Sequence, residues 1–208
     1  MYNELIERYP SLAKCGEEIK KATEAIIACY EAGGKVMLCG NGGSCADCDH
    51  IVGELMKGFL KLRPISDEKK AEMQARCGLA DEALLSKLQC GLPAISLPSI
   101  TALNSAFCND VDPELIYAQS LFALGKPGDI LIALSTSGNS KNVFGAVKVA
   151  KSMGITVIGM TGRSGGKLRG SADICICAPE DETFKIQELH LPIYHYICAA
   201  VEEHFFKN

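Results

Sequence analysis

Short apolar segments alternate along this chain with longer segments of helical periodicity, and this alternation constrains the fold more than any other feature. Each apolar run is too short for a buried helix but suits a strand that is buried on both faces. The predicted strands are Lys35–Cys39, Ala94–Leu97, Ile130–Leu134, Ile155–Met160 and Ile174–Cys177. The predicted helices are Ala46–Phe59, Ile100–Phe107, Lys141–Met153 and Thr183–Phe206. This order predicts an α/β fold whose parallel sheet is covered on both sides and binds ligands where its strands end.

The opening segment, residues 1–33, predicts an amphipathic helix. Its apolar residues recur every seven positions, at Leu5, Leu12, Ile19 and Ile26. We expect the helix to begin near Pro10 and to end at Gly33, since glycine readily adopts the left-handed conformation that closes a helix. Such a narrow apolar stripe suits packing either against a helix of a second subunit or against its own domain.

Residues 62–91 interrupt the alternation. The segment is polar and charged, with one helix-prone stretch over Asp67–Arg76 and a second over Asp81–Gln89. It predicts a helical insertion on the sheet scaffold.

Composition and charge exclude several classes of protein. The 208 residues, 48% hydrophobic and 22% charged, suit a packed globular chain of about one domain. With 21 Lys and Arg against 25 Asp and Glu and no long basic run, the chain offers no footprint for nucleic acid. No apolar stretch reaches the ~20 residues that span a bilayer, and the first residues lack a signal-peptide pattern. We therefore expect a cytoplasmic protein without membrane contact.

Eleven cysteines are present, an odd number that favours reduced thiols over a disulfide scaffold in a chain without an export signal. Two close pairs, Cys45 with Cys48 and Cys175 with Cys177, have the spacing of metal or redox pairs. Neither has a second pair at zinc-site spacing. A structural or incidental use is therefore the favoured interpretation of both.

Two predicted strands end in loops that suit a phosphate. Gly40–Ser44 follows the first strand and opens a helix, so unpaired backbone N–H groups and the helix dipole can face an anion. Ser135–Ser140 follows the third strand and places four hydroxyls around a glycine turn. Each loop alone is also typical of a simple turn and helix cap. Together they favour a small phosphorylated ligand.

Motifs for nucleotides do not fit these loops. Gly40 and Gly42 begin a G-x-G-x-x-G pattern, but Cys45 occupies the position of the third glycine. The pattern G-x-x-x-x-G-K-[ST] does not occur either. A small phosphorylated ligand therefore suits the chain better than a dinucleotide or ATP.

Titratable side chains cluster on two of the predicted helices. His50 and Glu54 are four residues apart, so they share a helix face and can bind a metal or transfer protons. An isolated pair at this spacing is also typical of a solvated helix surface. The last helix adds Gln187, Glu188, His190 and His195.

Taken in their order along the chain, these motifs resemble those of the phosphoheptose (sedoheptulose 7-phosphate) isomerases, which belong to the sugar-isomerase (SIS) domain superfamily. The resemblance rests on Gly40–Ser44, His50-x-x-x-Glu54, Asn109-Asp110, Ser135–Ser140, Thr161-Gly162-x-x-Gly165-Gly166 and Gln187-Glu188-x-His190-x-x-x-x-His195. It implies a single SIS domain over residues 1–208 with a five-stranded parallel sheet flanked by helices. It also implies a homotetramer, with active sites between subunits and residues 1–33 used in subunit packing.

The resemblance further implies conversion of sedoheptulose 7-phosphate to D-glycero-D-manno-heptose 7-phosphate through an enediol, the entry to heptose for surface polysaccharide. Glu54 would be the catalytic base and His195 its acid/base partner. The implied substrate-binding residues are Asn41, Gly42, Gly43, Ser44, Glu54, Asn109, Asp110, Ser135, Thr136, Ser137, Ser140 and Gln187. The implied ligands of one Zn²⁺ per subunit are His50, Glu54, Gln187 and His195.

Helix geometry raises a difficulty for that zinc site. On a straight helix, Gln187 and His195 are separated by a rise of about 12 Å. The site therefore requires a kink at Pro192, weak metal binding, or a ligand from a neighbouring subunit.

Two departures from the family pattern bear on the substrate. The family has an arginine at the position of Gly58, and here Lys57, Lys61 or Arg63 would have to supply the charge, although lysine lacks the guanidinium fork. The family also lacks residues 62–91, which implies a lid, an altered subunit contact or a surface hairpin.

Two alternatives to the heptose isomerase remain at this point. One is a non-catalytic SIS adaptor that binds the bacterial replication initiator, but that adaptor lacks counterparts of Glu54 and His195. The other is an isomerase or sensor for a different sugar phosphate.

Overall fold

The structure is a computed structural model, and it describes residues 1–77 and 81–206. Its strands are β1 (Val36–Cys39), β2 (Ala94–Ser96), β3 (Ile130–Leu134), β4 (Thr156–Thr161) and β5 (Ile174–Cys177). Its α-helices are α1 (Tyr2–Arg8), α2 (Gly16–Glu31), α3 (Gly43–Met56), α4 (Asp67–Cys77), α5 (Glu82–Leu85), α6 (Thr101–Asp110), α7 (Ile116–Leu124), α8 (Lys141–Ser152) and α9 (Thr183–Phe205). Short 3-10 turns cover Pro10–Cys15, Leu97–Ser99, Pro113–Leu115 and Leu168–Gly170.

The strands form one parallel sheet in the order β2-β1-β3-β4-β5. Val36 at the start of β1 pairs with Ala94 on one side and with Ile130 on the other. The prediction of an α/β fold with a five-stranded parallel sheet is confirmed, and each strand boundary lies within one residue of its predicted position. Every residue of β1 and β3 is buried, as their continuous apolar sequences require.

Helices cover both faces of the sheet. On one face, α2, α3 and α9 pack together and bury residues such as Ile26, Leu55 and Ile197. On the other face, α7 and α8 bury residues such as Leu121 and Val147. Full burial of one such aliphatic side chain stabilises the fold by about 1.5–3 kcal/mol. These two layers hold rigid the strand ends from which the site is built.

The N-terminal segment differs from its prediction. It consists of α1, a 3-10 turn over Pro10–Cys15 and then α2, rather than one helix that begins near Pro10. Proline lacks an N–H and disfavours helical geometry in the residue before it, and Tyr9 accordingly has φ −134° and ψ 72°. The predicted end is confirmed, because Gly33 has φ 79° just beyond α2.

Two further differences concern helices on the surface of the sheet. α3 begins at Gly43 rather than Ala46, so the first glycine loop runs straight into the helix. α7 was not predicted, because its nine residues are apolar on most sides and show little periodicity.

The insertion contains helices, as predicted: α4 covers the stretch Asp67–Arg76, but only the single turn α5 forms within the stretch Asp81–Gln89. Its two ends meet, because Pro64 and Gln89 form an antiparallel bridge. Residues 78–80 lie outside the described part of the chain. Among the described helices, none is long and apolar enough to cross a membrane.

Candidate functional site

The two predicted phosphate loops lie side by side. They follow β1 and β3, which are neighbours in the sheet. After β1, the chain adds β2 on one side and then β3 on the other side, so the strand order reverses between β1 and β3. Ligands of open α/β sheets bind at such a point. α3 begins at Gly43 and α8 at Lys141, so two helix N-termini point toward the same region. Gly42, with φ 58°, makes the turn that brings this backbone to the helix start.

The first loop is held by contacts that the sequence did not indicate. The amides of Asn41 and Asn142 exchange two hydrogen bonds of 2.9 Å, which ties the first loop to the start of α8. The buried Tyr117 hydroxyl lies 2.8 Å from the Gly40 carbonyl and 3.0 Å from Asn41 Oδ1. Tyr117 lies on the unpredicted α7, whereas Asn142 lies just beyond the serine loop and could have been considered with it. Asn41 is therefore fixed before any ligand binds.

The second loop is organised by its own hydroxyls. The Oγ atoms of the buried Ser135 and the half-buried Ser140 are 2.9 Å apart. Ser137 is exposed and its Oγ accepts a hydrogen bond of 3.2 Å from the Asn139 N–H. Gly138 has φ 65°, and a Cβ there would lie 2.1 Å from the Gly165 carbonyl oxygen, so only glycine fits. The loop thus presents hydroxyl donors from a rigid turn.

The other predicted substrate-binding residues divide into two groups. The Gln187 side chain packs against the first loop, because a Cβ on Gly43 would lie 2.6 Å from its Nε2. The first loop also contains the buried Ser44. Asn109 and Asp110, by contrast, are exposed at the end of α6 and hydrogen-bond each other at 2.7 Å. Among the described residues, neither of these two side chains hydrogen-bonds to a phosphate loop.

A second cluster forms where α3 packs against α9. His50 Nε2 lies 3.2 Å from Glu54 Oε1, and the rings of His50 and His195 have centroids 5.0 Å apart. Phe59 packs beside His195 with a centroid distance of 5.5 Å. The structure thus brings His195 of α9 against His50 and Glu54 of α3.

Tyr194 and Asp47 extend this cluster, and neither was predicted. The Tyr194 hydroxyl donates to Asp47 Oδ1 at 3.2 Å and lies 3.0 Å from His50 Nδ1. With the hydroxyl proton directed to Asp47, the tyrosine oxygen can accept a hydrogen bond from His50 Nδ1. Because His50 Nε2 lies 3.2 Å from Glu54 Oε1, both ring nitrogens of His50 have a polar partner within hydrogen-bond distance.

Three buried atoms of the cluster have no hydrogen-bond partner among the described residues, namely Asp47 Oδ2, Glu54 Oε2 and His195 Nε2. Lys57 Nζ is 3.6 Å from Glu54 Oε2, beyond hydrogen-bond range, and its side chain is largely exposed. Burial lowers the pKa of His195, the nearby His50 and Arg8 act in the same direction, and Glu54 opposes them. His195 is therefore mainly neutral at pH 7, and the unpartnered atoms of Glu54 and His195 are available to a ligand.

A groove of about 420 Å³ opens beside His195, between α1, α9 and the segment after α3. Most of its lining is apolar, including Leu5 and Phe59, and its charged residues are Glu4 and Arg8. Arg8 is the guanidinium near His195 that the sequence analysis did not consider.

The structure shows which of the three predicted substitutes for the family arginine are free to meet a ligand. Arg63 is buried and its Nε donates to Glu202 Oε1 at 2.8 Å, so it cannot bind substrate. Lys61 Nζ lies 2.7 Å from Glu203 Oε2. Lys57 remains exposed beside Glu54. The suggestion of Arg63 was therefore wrong, because its guanidinium is buried and the Glu202 carboxylate offsets the cost of taking that charge out of water.

The two halves of the site are far apart within one protomer. Glu54 follows Gly43 by eleven residues of continuous helix, which is a rise of about 16 Å. Gln187 lies at the Gly43 end, whereas His195 lies at the Glu54 end. α9 continues through Pro192, so the proline does not bring the two residues together. The four predicted zinc ligands do not converge in one protomer, and no three His, Cys, Asp or Glu side chains among the described residues already form a metal-binding group.

Known proteins resemble this chain over most of its length. The SIS domain family matches residues 3–90 and 87–162. The phosphoheptose isomerase of Rhodospirillum rubrum is 38% identical over 192 residues, 92% of this chain and 88% of that protein. The phosphoheptose isomerase of Methylibium petroleiphilum is 40% identical over 187 residues, 88% of this chain and 80% of that protein.

Solved structures agree with these relatives. The phosphoheptose isomerase of Neisseria gonorrhoeae superposes with a TM-score of 0.76 at 30% identity, over 97% of this chain and 95% of that one. The phosphoheptose isomerase of Francisella tularensis gives 0.77 at 31% identity, over 97% and 94% of the two chains. The chain therefore belongs to the phosphoheptose isomerase family of SIS-domain proteins.

Proposed function

We propose that the chain is an aldose–ketose isomerase that converts sedoheptulose 7-phosphate to D-glycero-D-manno-heptose 7-phosphate. The observation that carries this proposal is the pair of unpartnered, buried atoms, Glu54 Oε2 and His195 Nε2, in one cluster. A carboxylate and a neutral imidazole are the two groups that this proton-transfer chemistry needs. Membership of the phosphoheptose isomerase family supplies the substrate class.

The reaction moves one proton between carbon atoms and a second between oxygen atoms. Glu54 removes a proton from C1 of the ketose, which places negative charge on the C2 oxygen. The neutral His195 accepts the proton of the C1 hydroxyl and passes it to the C2 oxygen, which is the enediol stage. Glu54 then returns its proton to C2, and the C1 oxygen is left as the aldehyde. Both groups end in their starting states, so the cycle needs no further reactant.

The phosphate of the substrate suits the paired loops after β1 and β3. Backbone N–H groups at the start of α3 and the hydroxyls of Ser137 and Ser140 can donate to its oxygens. These contacts lie away from the reacting carbons, so their binding energy serves to position C1 and C2.

Distance supports an active site shared between subunits. An extended seven-carbon sugar phosphate spans about 10 Å from phosphorus to C1, since its single bonds are about 1.5 Å long. The phosphate loop and Glu54 of one protomer are about 16 Å apart along α3. We therefore place the phosphate on one protomer and the reacting carbons at Glu54 and His195 of another, within a homotetramer.

Zinc at the same cluster is a further part of the proposal. His50 Nε2 and Glu54 Oε1 lie 3.2 Å apart and the His195 ring is 5.0 Å from that of His50, so small side-chain movements would bring these nitrogen and oxygen ligands to one Zn²⁺. A bound Zn²⁺ would polarise the substrate carbonyl and stabilise negative charge on its oxygen. Gln187 lies at the other end of the site and would have to come from a neighbouring subunit. A cytoplasmic location stays a prediction.

The first experiment is proton NMR of the purified protein with sedoheptulose 7-phosphate in deuterated water. We expect an aldose signal with deuterium at the reacting carbon, and a rate loss of about 10²–10⁴ in Glu54→Gln and His195→Asn. His204→Asn is the matched control, because His204 lies on the same helix but pairs on the surface with Glu31 at 2.8 Å. Absence of both product and exchange, with the sugar phosphate still bound, would assign the site to another sugar phosphate or to a non-catalytic role.

A mixing experiment tests the shared site. Glu54→Gln disables the catalytic half, and Ser137→Asp places a carboxylate in the phosphate loop. Each variant alone should be inactive, but a co-expressed mixture should recover about a quarter of wild-type activity, because random assembly of a symmetric oligomer restores that fraction of sites. No recovery in mixed oligomers of confirmed composition would place both halves in one protomer.

A further inference from the structure

A pair of thiols lies on the opposite edge of the molecule from β2, on the edge strand β5. Cys175 and Cys177 are two residues apart, so their side chains emerge on the same side of the strand. Their Sγ atoms are 3.8 Å apart. Both residues are half-buried, and Cys175 lies beside Gly159 of β4, which offers no side chain to cover it. The isomerase mechanism uses neither thiol.

The pair opens onto a polar cleft of about 300 Å³. The cleft is lined by Lys14, Lys21 and Arg169 together with Glu18 and Asp173, so its cations outnumber its carboxylates. Asp173 is engaged by Lys151 outside the cleft lining. A small anionic or neutral oxidant can therefore reach the sulfur atoms, and the surrounding charge favours a thiolate.

We propose that Cys175 and Cys177 form a reversible dithiol–disulfide site that is oxidised by small hydroperoxides. The Cys177 thiolate attacks the terminal peroxide oxygen, the O–O bond breaks, and water or an alcohol leaves. The sulfenic acid on Cys177 is then attacked by the Cys175 sulfur, so that an S–S bond forms and the S–O bond breaks with loss of water. The two thiols lose two electrons in total, and the hydroperoxide gains them.

The electrostatics of the pair assign the two roles. The hydrogen bond from Cys175 lowers the pKa of Cys177 to about 7, and the Arg169 guanidinium acts in the same direction, while burial and Glu18 oppose them. The same contact raises the pKa of Cys175, which keeps its proton. Cys177 is thus the attacking thiolate and Cys175 the resolving thiol.

Strand geometry makes the bond possible but easily reduced. Two residues of a strand span about 6.6 Å between Cα atoms, at the upper end of the range that disulfides bridge. A bond made at this limit is strained, and strained disulfides are readily reduced by thiol exchange. Cys15 is the nearby competitor, but it is buried, its Sγ donates to the Leu12 carbonyl, and burial raises its pKa to about 12.

The expected reactivity follows from the thiolate fraction. At pH 7, the ionised fraction of a thiol with a pKa of about 7 is roughly 50-fold larger than that of a thiol at the ordinary value of 9.0. The thiolate of lower pKa is itself a weaker nucleophile, by about 8-fold. Cys177 should therefore react about 6-fold faster than an unactivated thiol. Cys108, a single exposed cysteine on α6, is the internal reference.

The test is hydrogen peroxide treatment of the reduced full-length protein, with each cysteine followed by peptide mass spectrometry. We expect a Cys175–Cys177 disulfide that dithiothreitol reverses, and trapping of the sulfenic acid at Cys177 by dimedone in Cys175→Ser. Cys177→Ser should abolish the fast reaction, Arg169→Gln should slow it, and Cys108→Ser should leave it unchanged. These readouts are masses, so they do not depend on isomerase activity.

Three results would overturn the proposal. One is a Cys177 that reacts no faster than Cys108. Another is a disulfide that links Cys177 to Cys15 or to a second protomer instead of Cys175. The third is direct accumulation of sulfinic acid at Cys177 in the wild-type protein, which would show that Cys175 does not resolve the intermediate.

Discussion

Replacing one partner of the buried ion pair Arg63–Glu202 should destabilise the protein more than most single substitutions. The side chains of the pair are 0% and 1% exposed. Arg63 also donates to the carbonyl oxygens of Leu55 at 2.7 Å and Glu54 at 3.1 Å. The Glu202 carboxylate accepts from the backbone N–H groups of residues 59, 60 and 61. The pair therefore joins the end of α3, beside the proposed base Glu54, to α9.

The magnitude follows from what each substitution leaves behind. In Arg63→Met, Glu202 remains buried without its counter-charge and two helix-end carbonyls lose their donor. In Glu202→Leu, a buried guanidinium remains and three backbone N–H groups lose their acceptor. Each change should lower the free energy of unfolding by about 3–5 kcal/mol. At about 2–4 °C per kcal/mol for a chain of this size, Tm should fall by roughly 6–20 °C.

The double variant Arg63→Met with Glu202→Leu distinguishes this reasoning from a simple loss of contacts. It leaves no isolated buried charge, so its cost should fall short of the sum of the two single costs by at least about 2 kcal/mol. Urea unfolding at one fixed protomer concentration measures all three values, since oligomerisation makes stability depend on concentration.

A matched control comes from the exposed pair Glu17–Lys20, whose side chains are 73% and 42% exposed. Glu17→Gln should cost less than about 1 kcal/mol. The reasoning is refuted if either buried substitution costs as little as this control, or if the two buried substitutions are additive.

Three further predictions concern pH, backbone conformation and metal. Burial lowers the pKa of His190 to about 4 from its ordinary 6.5, against the opposing hydrogen bond to a backbone carbonyl. As pH falls, the unfolded state therefore takes up the proton before the folded state does. The free energy of unfolding should fall by up to about 3 kcal/mol as pH drops from 6.5 toward 4. In urea titrations, His190→Gln should weaken this dependence on pH. Gly138→Ala should cost at least about 2 kcal/mol because of its φ of 65° and the nearby carbonyl, whereas Gly170→Ala, with open space at its Cβ, should cost far less in the same unfolding assay. Elemental analysis of protein purified without chelator should find one zinc per subunit, reduced by His50→Ala, and a metal-free wild-type enzyme with full activity would contradict the zinc proposal.

Much of the fold followed from local sequence patterns. Apolar runs of four to six residues between helical segments predicted every strand, because a strand buried on both faces must be continuously apolar. Pro10 shows the limit of this approach. The seven-residue apolar repeat continues across Pro10, which by itself would indicate an unbroken helix. The proline ring nevertheless interrupts the helix there.

The site was predicted only as separate pieces. Both phosphate loops and the pair His50–Glu54 could be found from spacing, because each lies within one short segment. Tyr117 and Tyr194 could not, since their hydroxyls contact residues 76–77 and 144–147 positions away in sequence. Arg63 looked like an available cation until its burial against Glu202 was seen.

By itself, the sequence determined most of the element types, the loops that carry hydroxyls and glycines, and the helix face that carries His50 and Glu54. Only the tertiary structure decided that β1 and β3 are neighbours, so that the two loops meet. It also decided that Gln187 and His195 lie at opposite ends of the site, because α9 remains helical through Pro192. The physical reason is that periodicity and turn chemistry act over a few residues, whereas strand order and helix packing depend on contacts between distant segments.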